Sequence, residues 1–234
     1  MSVMKVLVAC EESQAVTKEF RKLGHEAYSC DIVGCSGGHP EWHIMQDVTP
    51  LLNGNCFFQT MDERCHEVKG KWDLIIAHPP CTYFSNATMV NLGRKDKPER
   101  FNDEWREKFY KKRANAFEFV MKIWSADCDM ICIENVVGYL STHFQKPTQY
   151  IEPYYFGDPW KKKTCLWLKG LPHLNPSEVV KPTGKWVRHH LKNKDDLAGY
   201  GNKGVYSAKE RAKTFEGIAK AMAKQWGGGE QNGQ

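Results

Sequence analysis

The chain opens with a run of apolar positions, VMKVLVA at 3–9. Apolar residues then return at every third or fourth place, with Ala15, Val16, Phe20 and Leu23 forming one stripe within EESQAVTKEFRKLG. The first pattern predicts a buried strand, and the second an amphipathic helix that stops at Gly24. EAYSCDI returns to strand character, so the first thirty or so residues read as a strand–helix–strand unit. Further apolar runs predict strands at Asp73–Ala77, Met130–Ile133 and Thr164–Leu168, and a long segment predicts a helix from Asp103 to Trp124. Strands alternating with helices predict an α/β fold with a mainly parallel, doubly wound sheet, which gathers its ligands at the carboxyl ends of the strands.

Two segments break this pattern. Thr82–Asn102 is polar, basic and rich in Asn and Gly, which predicts a mobile loop directly behind Cys81. Pro172–Tyr206 carries Pro, Gly and basic residues with little periodicity and predicts a small insertion or a partly ordered arm. The closing SAKERAKTFEGIAKAMAKQW is helical in composition, with Ser207 as its expected cap, and GGGEQNGQ at 227–234 reads as a flexible tail. The expected organisation is therefore one main domain built from 1–171 and 207–226, with 172–206 inserted into it.

Composition narrows the class. The chain has 234 residues, 41% hydrophobic and 26% charged, enough for one well-filled core. No stretch approaches the roughly 20 apolar residues of a membrane span, and MSVMKVLVAC lacks signal-peptide flanks, so a soluble, cytoplasmic protein is expected. Nine scattered cysteines argue against a disulfide framework. The net charge of +5 is mild, but the basic residues cluster in GRKDKPER at 93–100, YKKR at 110–113, WKKK at 160–163 and GKWVRHHLKNK at 184–194. Such clusters suit a polyanionic partner such as DNA.

The chemistry-bearing positions lie where strands end. Asp31 closes the second strand, where an acid commonly accepts hydrogen bonds from ribose hydroxyls, and the 9–14 loop with Ala9, Cys10, Glu11 and Ser13 faces the rest of such a ligand. That loop lacks GxGxxG spacing, which disfavours a dinucleotide and favours a cofactor without phosphates. Asp47, in MQDVTPLL, is a second acid at a loop start. In DLIIAHPPCTYFS two prolines preset the backbone and then present Cys81, a nucleophile candidate. In DMICIENVVGYL an apolar strand ends in Glu134 and Asn135, and the apolar flanks predict a raised carboxyl pKa, suited to sharing a proton with a ring nitrogen.

HPPC at 78–81 and IENV at 133–136 resemble the catalytic motifs of the C5-specific DNA cytosine methyltransferases. The order agrees: VLVACEES resembles a divergent cofactor loop, CDI the acidic ribose motif and QDV the adenine-contacting motif. FGDPWKKKTCLWLKGLP and KTFEGIAKAMAKQW resemble in particular short phage-borne members. The resemblance implies a Rossmann-like fold, S-adenosylmethionine as donor, DNA as partner with the target base flipped or single-stranded, no metal, and a host cytoplasm if phage-encoded. It implies that Cys81 adds to C6 of cytosine while Glu134 engages N3, that Asn135 supports both, and that Lys161 or Lys163 assists. It places the cofactor against the 9–14 loop, Asp31, Ile32, Asp47, Val48 and Pro79. Residues 172–206 would then be a reduced target-recognition segment. Two alternatives stand beside it, a pyrimidine-modifying enzyme acting on free nucleotide or RNA, and a degenerate relative that only binds nucleic acid.

Other clusters are set aside. Cys30, Cys35, His39 and His43 have zinc-ligand types at irregular spacing, and Cys65-His66 is weaker still. Trp105, Phe109, Phe117 and Trp124 fit a core-facing helix stripe better than a base-stacking surface. The Trp160–Trp167 region interleaves aromatics with lysines, a combination suited to nucleic acid or to a solvated turn before a strand.

Overall fold

The structure, a computed structural model, describes residues 2–86, 88, 92, 101–185 and 213–228. Its centre is a seven-stranded sheet. The strands are β1 (Lys5–Ala9), β2 (Glu26–Asp31), β3 (His43–Met45), β6 (Leu74–Ala77), β7 (Ile131–Val136), β8 (Gln149–Ile151) and β10 (Thr164–Lys169), in the spatial order β3-β2-β1-β6-β7-β10-β8. The pairs β3–β2, β2–β1, β1–β6 and β6–β7 are parallel, and β10 runs antiparallel to both of its neighbours. Two small sheets stand apart from it: the antiparallel pair β4 (Cys56–Gln59) and β5 (Cys65–Val68), and the parallel pair β9 (Trp160–Lys161) and β11 (Gly184–Lys185).

The near-continuous apolar runs exist because both faces of the central strands are covered. Side chains alternate between the faces. Val6, Val8, Leu74, Ile76, Cys132 and Leu166 join one buried cluster with Val16 and Phe20 of helix α1 (Ala15–Lys22) and with Ile218, Met222 and Trp226 of the C-terminal helix, Glu216–Trp226. Leu7, Ala9, Ile75, Ala77, Ile131, Ile133, Cys165 and Trp167 join the other, with Val120 and Ile123 of helix α2 (Asp103–Trp124). Among the described residues the short helix α3 (Leu140–His143) follows β7, and the C-terminal helix just described is α4.

The predicted α2 matches the structure at both ends. Asn102 caps it by accepting from the Trp105 N–H at 2.8 Å, and Asp103 and Glu104 complement the positive end of its dipole. Helix α1 is shorter than the stripe predicted. It starts only at Ala15 because the preceding turn holds Gln14 at φ 57°, and it ends before Leu23, which is exposed while Gly24 turns the chain at φ +85°. Helices are sparser than an alternating pattern predicts, since β2 reaches β3 through a three-residue 3-10 turn and β3 reaches β6 through the β4–β5 hairpin. Residues 172–185 run on the body of the domain, with Leu174 fully buried and bonded through its backbone to both ends of the Gln149 amide. The expected Ser207 cap, the basic run at 93–100 and positions 186–206 lie outside the described residues, as does the tail beyond Gly228. Among the described residues no helix is long and apolar enough to cross a membrane.

Candidate active site

The strand order reverses between β1 and β6, so the loops leaving their carboxyl ends diverge and leave a crevice, the place where open α/β sheets bind ligands. Strand β7 lies next to β6 in register, with Ala77 opposite Ile133, which brings His78 level with Glu134. Alternation sends His78 and Glu134 to the side of the sheet that carries Ile76, Cys132 and α4, and Asn135 to the opposite side.

Cys81 begins a 3-10 turn, Cys81–Tyr83, directly behind Pro80, whose extended φ −53°, ψ 122° keeps the turn off the end of β6. The residue is exposed, whereas Phe84 beyond it is fully buried. Asn135 fastens this loop to the β7 end. Its Nδ2 donates to the Pro79 carbonyl at 2.8 Å, and its Oδ1 accepts from the Val136 N–H at 2.9 Å. A second tie follows at once, since the Tyr139 N–H donates to the Phe84 carbonyl at 2.8 Å and Ser85 bridges Gly138. Gly138 is required there: a Cβ would lie 2.0 Å from the Phe84 oxygen. Helix α2 clamps both loops from above. Phe109 meets the Tyr83 ring edge-on, and the buried Arg113 guanidinium lies 5.0 Å from the Phe109 ring centre and 4.5 Å from that of Tyr139. Arg113, part of the basic run at 110–113, is thus a packing cation rather than a surface charge. Phe117 and Trp124 pack against the core cluster, and Trp105 stacks on Phe109.

Glu134 does not stand in the apolar setting that its flanks predict. Its Oε2 lies 2.8 Å from His78 Nδ1 and accepts from the Thr214 hydroxyl at 3.4 Å. Burial pushes the carboxyl up, but the His78 hydrogen bond and charge, then Lys162 and Thr214, outweigh it and hold the group down at about 2. The expected rise is therefore corrected to a fall. For His78 burial favours the neutral ring, yet Glu134 and, more distantly, Glu11 hold the imidazole above its ordinary value against the opposing charge of Lys162. The two side chains, at 10% and 12% exposure, form a nearly buried ion pair.

Lys163 turns its ammonium onto the Tyr150 ring at 4.3 Å, while Lys162, half-buried and near Phe215, is the cation whose charge reaches Glu134 and His78. Both lie in the turn between β9 and β10, and a run of three lysines carries no sign of which one that turn directs inward.

On the other side of the switch point, Ala9 is buried and its carbonyl accepts from the His78 N–H at 2.9 Å, linking the two halves of the crevice. Cys10 takes a left-handed turn at φ 58° and donates its N–H to the Cys30 carbonyl. Burial first, then the charges of Asp31, Cys30 and Asp47, push its thiol far up, so the charges of both predicted acids are felt at this turn. Asp31 Oδ1 accepts from the Val33 N–H, and Asp47 Oδ1 accepts from the Thr49 N–H and hydroxyl. Ile32 is 77% exposed beside Asp31, with Val33 and Met45 also exposed, whereas Val48 and Pro79 are buried. Glu11 is buried, and its two oxygens accept from the Val16 and Thr17 N–H groups and the Thr17 hydroxyl, closing the start of α1. Ser13 is covered by the next loop, its carbonyl 2.5 Å from where a Gly37 Cβ would be. Gln14, absent from the expected set, locks that loop by bonding both backbone groups of His39 and the Ser29 hydroxyl.

The cysteine–histidine set near Asp31 is otherwise engaged. His43 uses both ring nitrogens, on Ser29 and on the Val33 carbonyl, His39 stacks on Trp42, and the Cys30 thiol donates to the Gln46 carbonyl. His66 bonds Tyr28 and Thr60, while Cys65 is exposed. Among the described residues no three His, Cys, Asp or Glu side chains are grouped to hold a metal.

Comparison with protein-family models and with curated proteins finds no match to the chain. Within the candidate site, sequence reasoning gave no role of their own to His78, Thr214, Lys162 and Gln14. His78 adjoins the quoted PPC run, but only the pairing of β6 with β7 gives it a carboxylate.

Proposed function

We propose that the protein is an S-adenosylmethionine-dependent DNA cytosine-5 methyltransferase of Rossmann-like architecture. One observation carries the reading: a cysteine and a glutamate leave the carboxyl ends of adjacent parallel strands beside a topological switch point, and an asparagine next to the glutamate ties their loops together. A thiol and a carboxyl so placed suit a flat pyrimidine, attacked at one ring position and held at another.

The residues across the switch point fit the cofactor. Asp31 and Asp47 supply acceptors for ribose and base, and the exposed Ile32, Val33 and Met45 supply an apolar wall for a purine ring. The turn at 10–14 offers no glycine cradle for phosphates, which agrees with a nucleoside carrying an amino-acid arm rather than a pyrophosphate. Asp31, Ile32, Asp47 and the backbone at Ala9–Cys10 would hold it, and when bound it supplies an electrophilic methyl group. The protein's own part is then defined. The Cys81 thiolate adds to C6 of the cytosine, Glu134 shares a proton with N3 so that electron density collects at C5, and loss of the C5 proton with departure of the sulfur restores the ring. Asn135 keeps the two loops in place. The parallel pairing of β9 with β11 sets Lys161 opposite Lys185 and so brings two of the basic segments together, which suits a phosphate backbone. Extruding the target base costs a few kcal/mol of unstacking.

Transfer of labelled methyl groups to duplex and single-stranded DNA, set against free deoxycytidine nucleotides and RNA, tests the substrate class. DNA containing 5-fluorocytosine should become covalently attached to the wild type in the presence of the methyl donor and not to Cys81→Ser. A wild type that neither transfers nor is trapped ends the proposal.

A further inference from the structure

We infer that His78 and Glu134 together store the proton that the site delivers to a bound pyrimidine, with His78 as the positioning residue that keeps it there at neutral pH. This rests on the methyltransferase reading for what the proton is used for, but not for its being on the pair.

Three features of the geometry lead here. The pair is almost closed to solvent and joined by a 2.8 Å bond, so the two groups exchange a proton with each other more readily than with water. Thr214, arriving from the segment before α4, sits 3.4 Å from Oε2 and 3.5 Å from Nδ1, so one hydroxyl attends both atoms between which the proton moves. The second ring nitrogen, Nε2, is buried with no hydrogen-bond partner among the described residues. An imidazolium bonded at both nitrogens would be locked in its charged form. With only Nδ1 engaged, the ring keeps a single route for its proton, through that bond to the carboxylate.

The electrostatic setting agrees. The charged groups that reach the pair are Glu11 from the loop after β1 and Lys162 from the turn before β10, of opposite sign; burial keeps the Cys132 thiol protonated on the same face and the Cys165 thiol protonated on the opposite one. The ion pair is therefore held chiefly by its own two members. A lone buried glutamic acid would have to remain protonated at neutral pH by desolvation alone. The pair separates the tasks: the imidazole holds the proton while the carboxylate keeps an oxygen toward N3.

The step balances with one proton. It leaves His78 Nδ1 for Glu134, giving a neutral imidazole and a carboxylic acid. The acid passes it to N3 as the sulfur electron pair forms the bond to C6. When the sulfur leaves, N3 returns the proton to the carboxylate, and the imidazole recovers it. The proton lost from C5 before the sulfur leaves is a separate one and passes to water, so the proton held by the pair is conserved over the turnover.

The test combines a titration with a pH–rate profile. In protein labelled with nitrogen-15, assigned through bonds in the wild type, the His78 ring should remain protonated above the ordinary imidazole range. In Glu134→Gln it should lose its proton below that range, because burial then acts without its partner. The single-turnover methyl-transfer rate should fall with rising pH in step with the His78 titration. His78→Gln should lose rate on the order of a hundredfold at about pH 8, the loss shrinking toward about pH 6. A neutral His78 throughout this range in the wild type, or one indifferent to Glu134→Gln, overturns the inference, as does a rate loss in His78→Gln that is the same at every pH. If the wild type titrates as expected yet transfers no methyl group, the delivery step is overturned together with the methyltransferase reading, and the shared proton alone stands.

Discussion

Asn135→Ala tests whether the two loops of the site are held by the contact described. Asn135 is 5% exposed and makes two hydrogen bonds, to the Pro79 carbonyl at 2.8 Å and from the Val136 N–H at 2.9 Å. Each is worth about 1 kcal/mol, and the Pro79 carbonyl, left buried without its donor, adds a desolvation penalty of about 1–3 kcal/mol, so the total is roughly 3–5 kcal/mol. For a chain of this size each kcal/mol moves the melting midpoint by about 2–4 °C, which predicts a fall of roughly 6–20 °C in calorimetry. Freed of its tie, the Pro79–Tyr83 loop should let Cys81 drift. A displacement of about 1 Å at a reacting atom can cost on the order of a hundredfold in rate, so covalent trapping on 5-fluorocytosine DNA should slow by about that factor at a temperature where the variant is still folded. Asn135→Asp keeps the volume but sets an acceptor against a carbonyl, and should be no more stable than the alanine variant. Should Asn135→Ala melt with the wild type and trap at the wild-type rate, the contact positions nothing.

Other consequences are as direct. The His78–Glu134 pair gives stability a window: Glu134, held below its ordinary 4.5, contributes above that value and loses the contribution as pH falls toward about 2, and His78, raised from 6.5, contributes below that value and loses it as pH rises through its folded-state titration. His78→Gln should therefore cost most between these two ordinary values, roughly 3–5 kcal/mol by denaturant unfolding, because one buried charge is left unpaired. Burial raises the Glu11 carboxyl, so its favourable contribution is complete only below its ordinary range and is lost as pH rises; the wild type should lose stability relative to Glu11→Gln on going from acid to neutral pH. Lys162→Ala should impair trapping more than Lys163→Ala, since only the first faces the pair. Asn102→Ala should lower stability by about 1 kcal/mol in thermal unfolding through loss of the α2 cap.

The sequence by itself determined the elements whose burial is two-sided or strictly periodic. β1, β6, β7 and β10 announce themselves as unbroken apolar runs because both faces of each are covered, and α2 because a capping Asn precedes a long regular stripe. It also singled out Cys81, Glu134 and Asn135, because strand ends in such folds are where polar groups appear without a structural need. What it left out are short or irregular elements such as β3, β8 and the β9–β11 pair, which carry too few residues for a period to show. The tertiary structure alone decided the charge state of the site. His78 and Glu134 lie 56 positions apart, and their bond exists only because β6 and β7 are neighbours in register, just as Thr214 reaches them from the distant segment before α4 and Lys162 from the turn before β10. A flanking sequence reports how apolar a strand is, but a pKa is set by whichever charge comes within a few ångströms, and that is a property of packing.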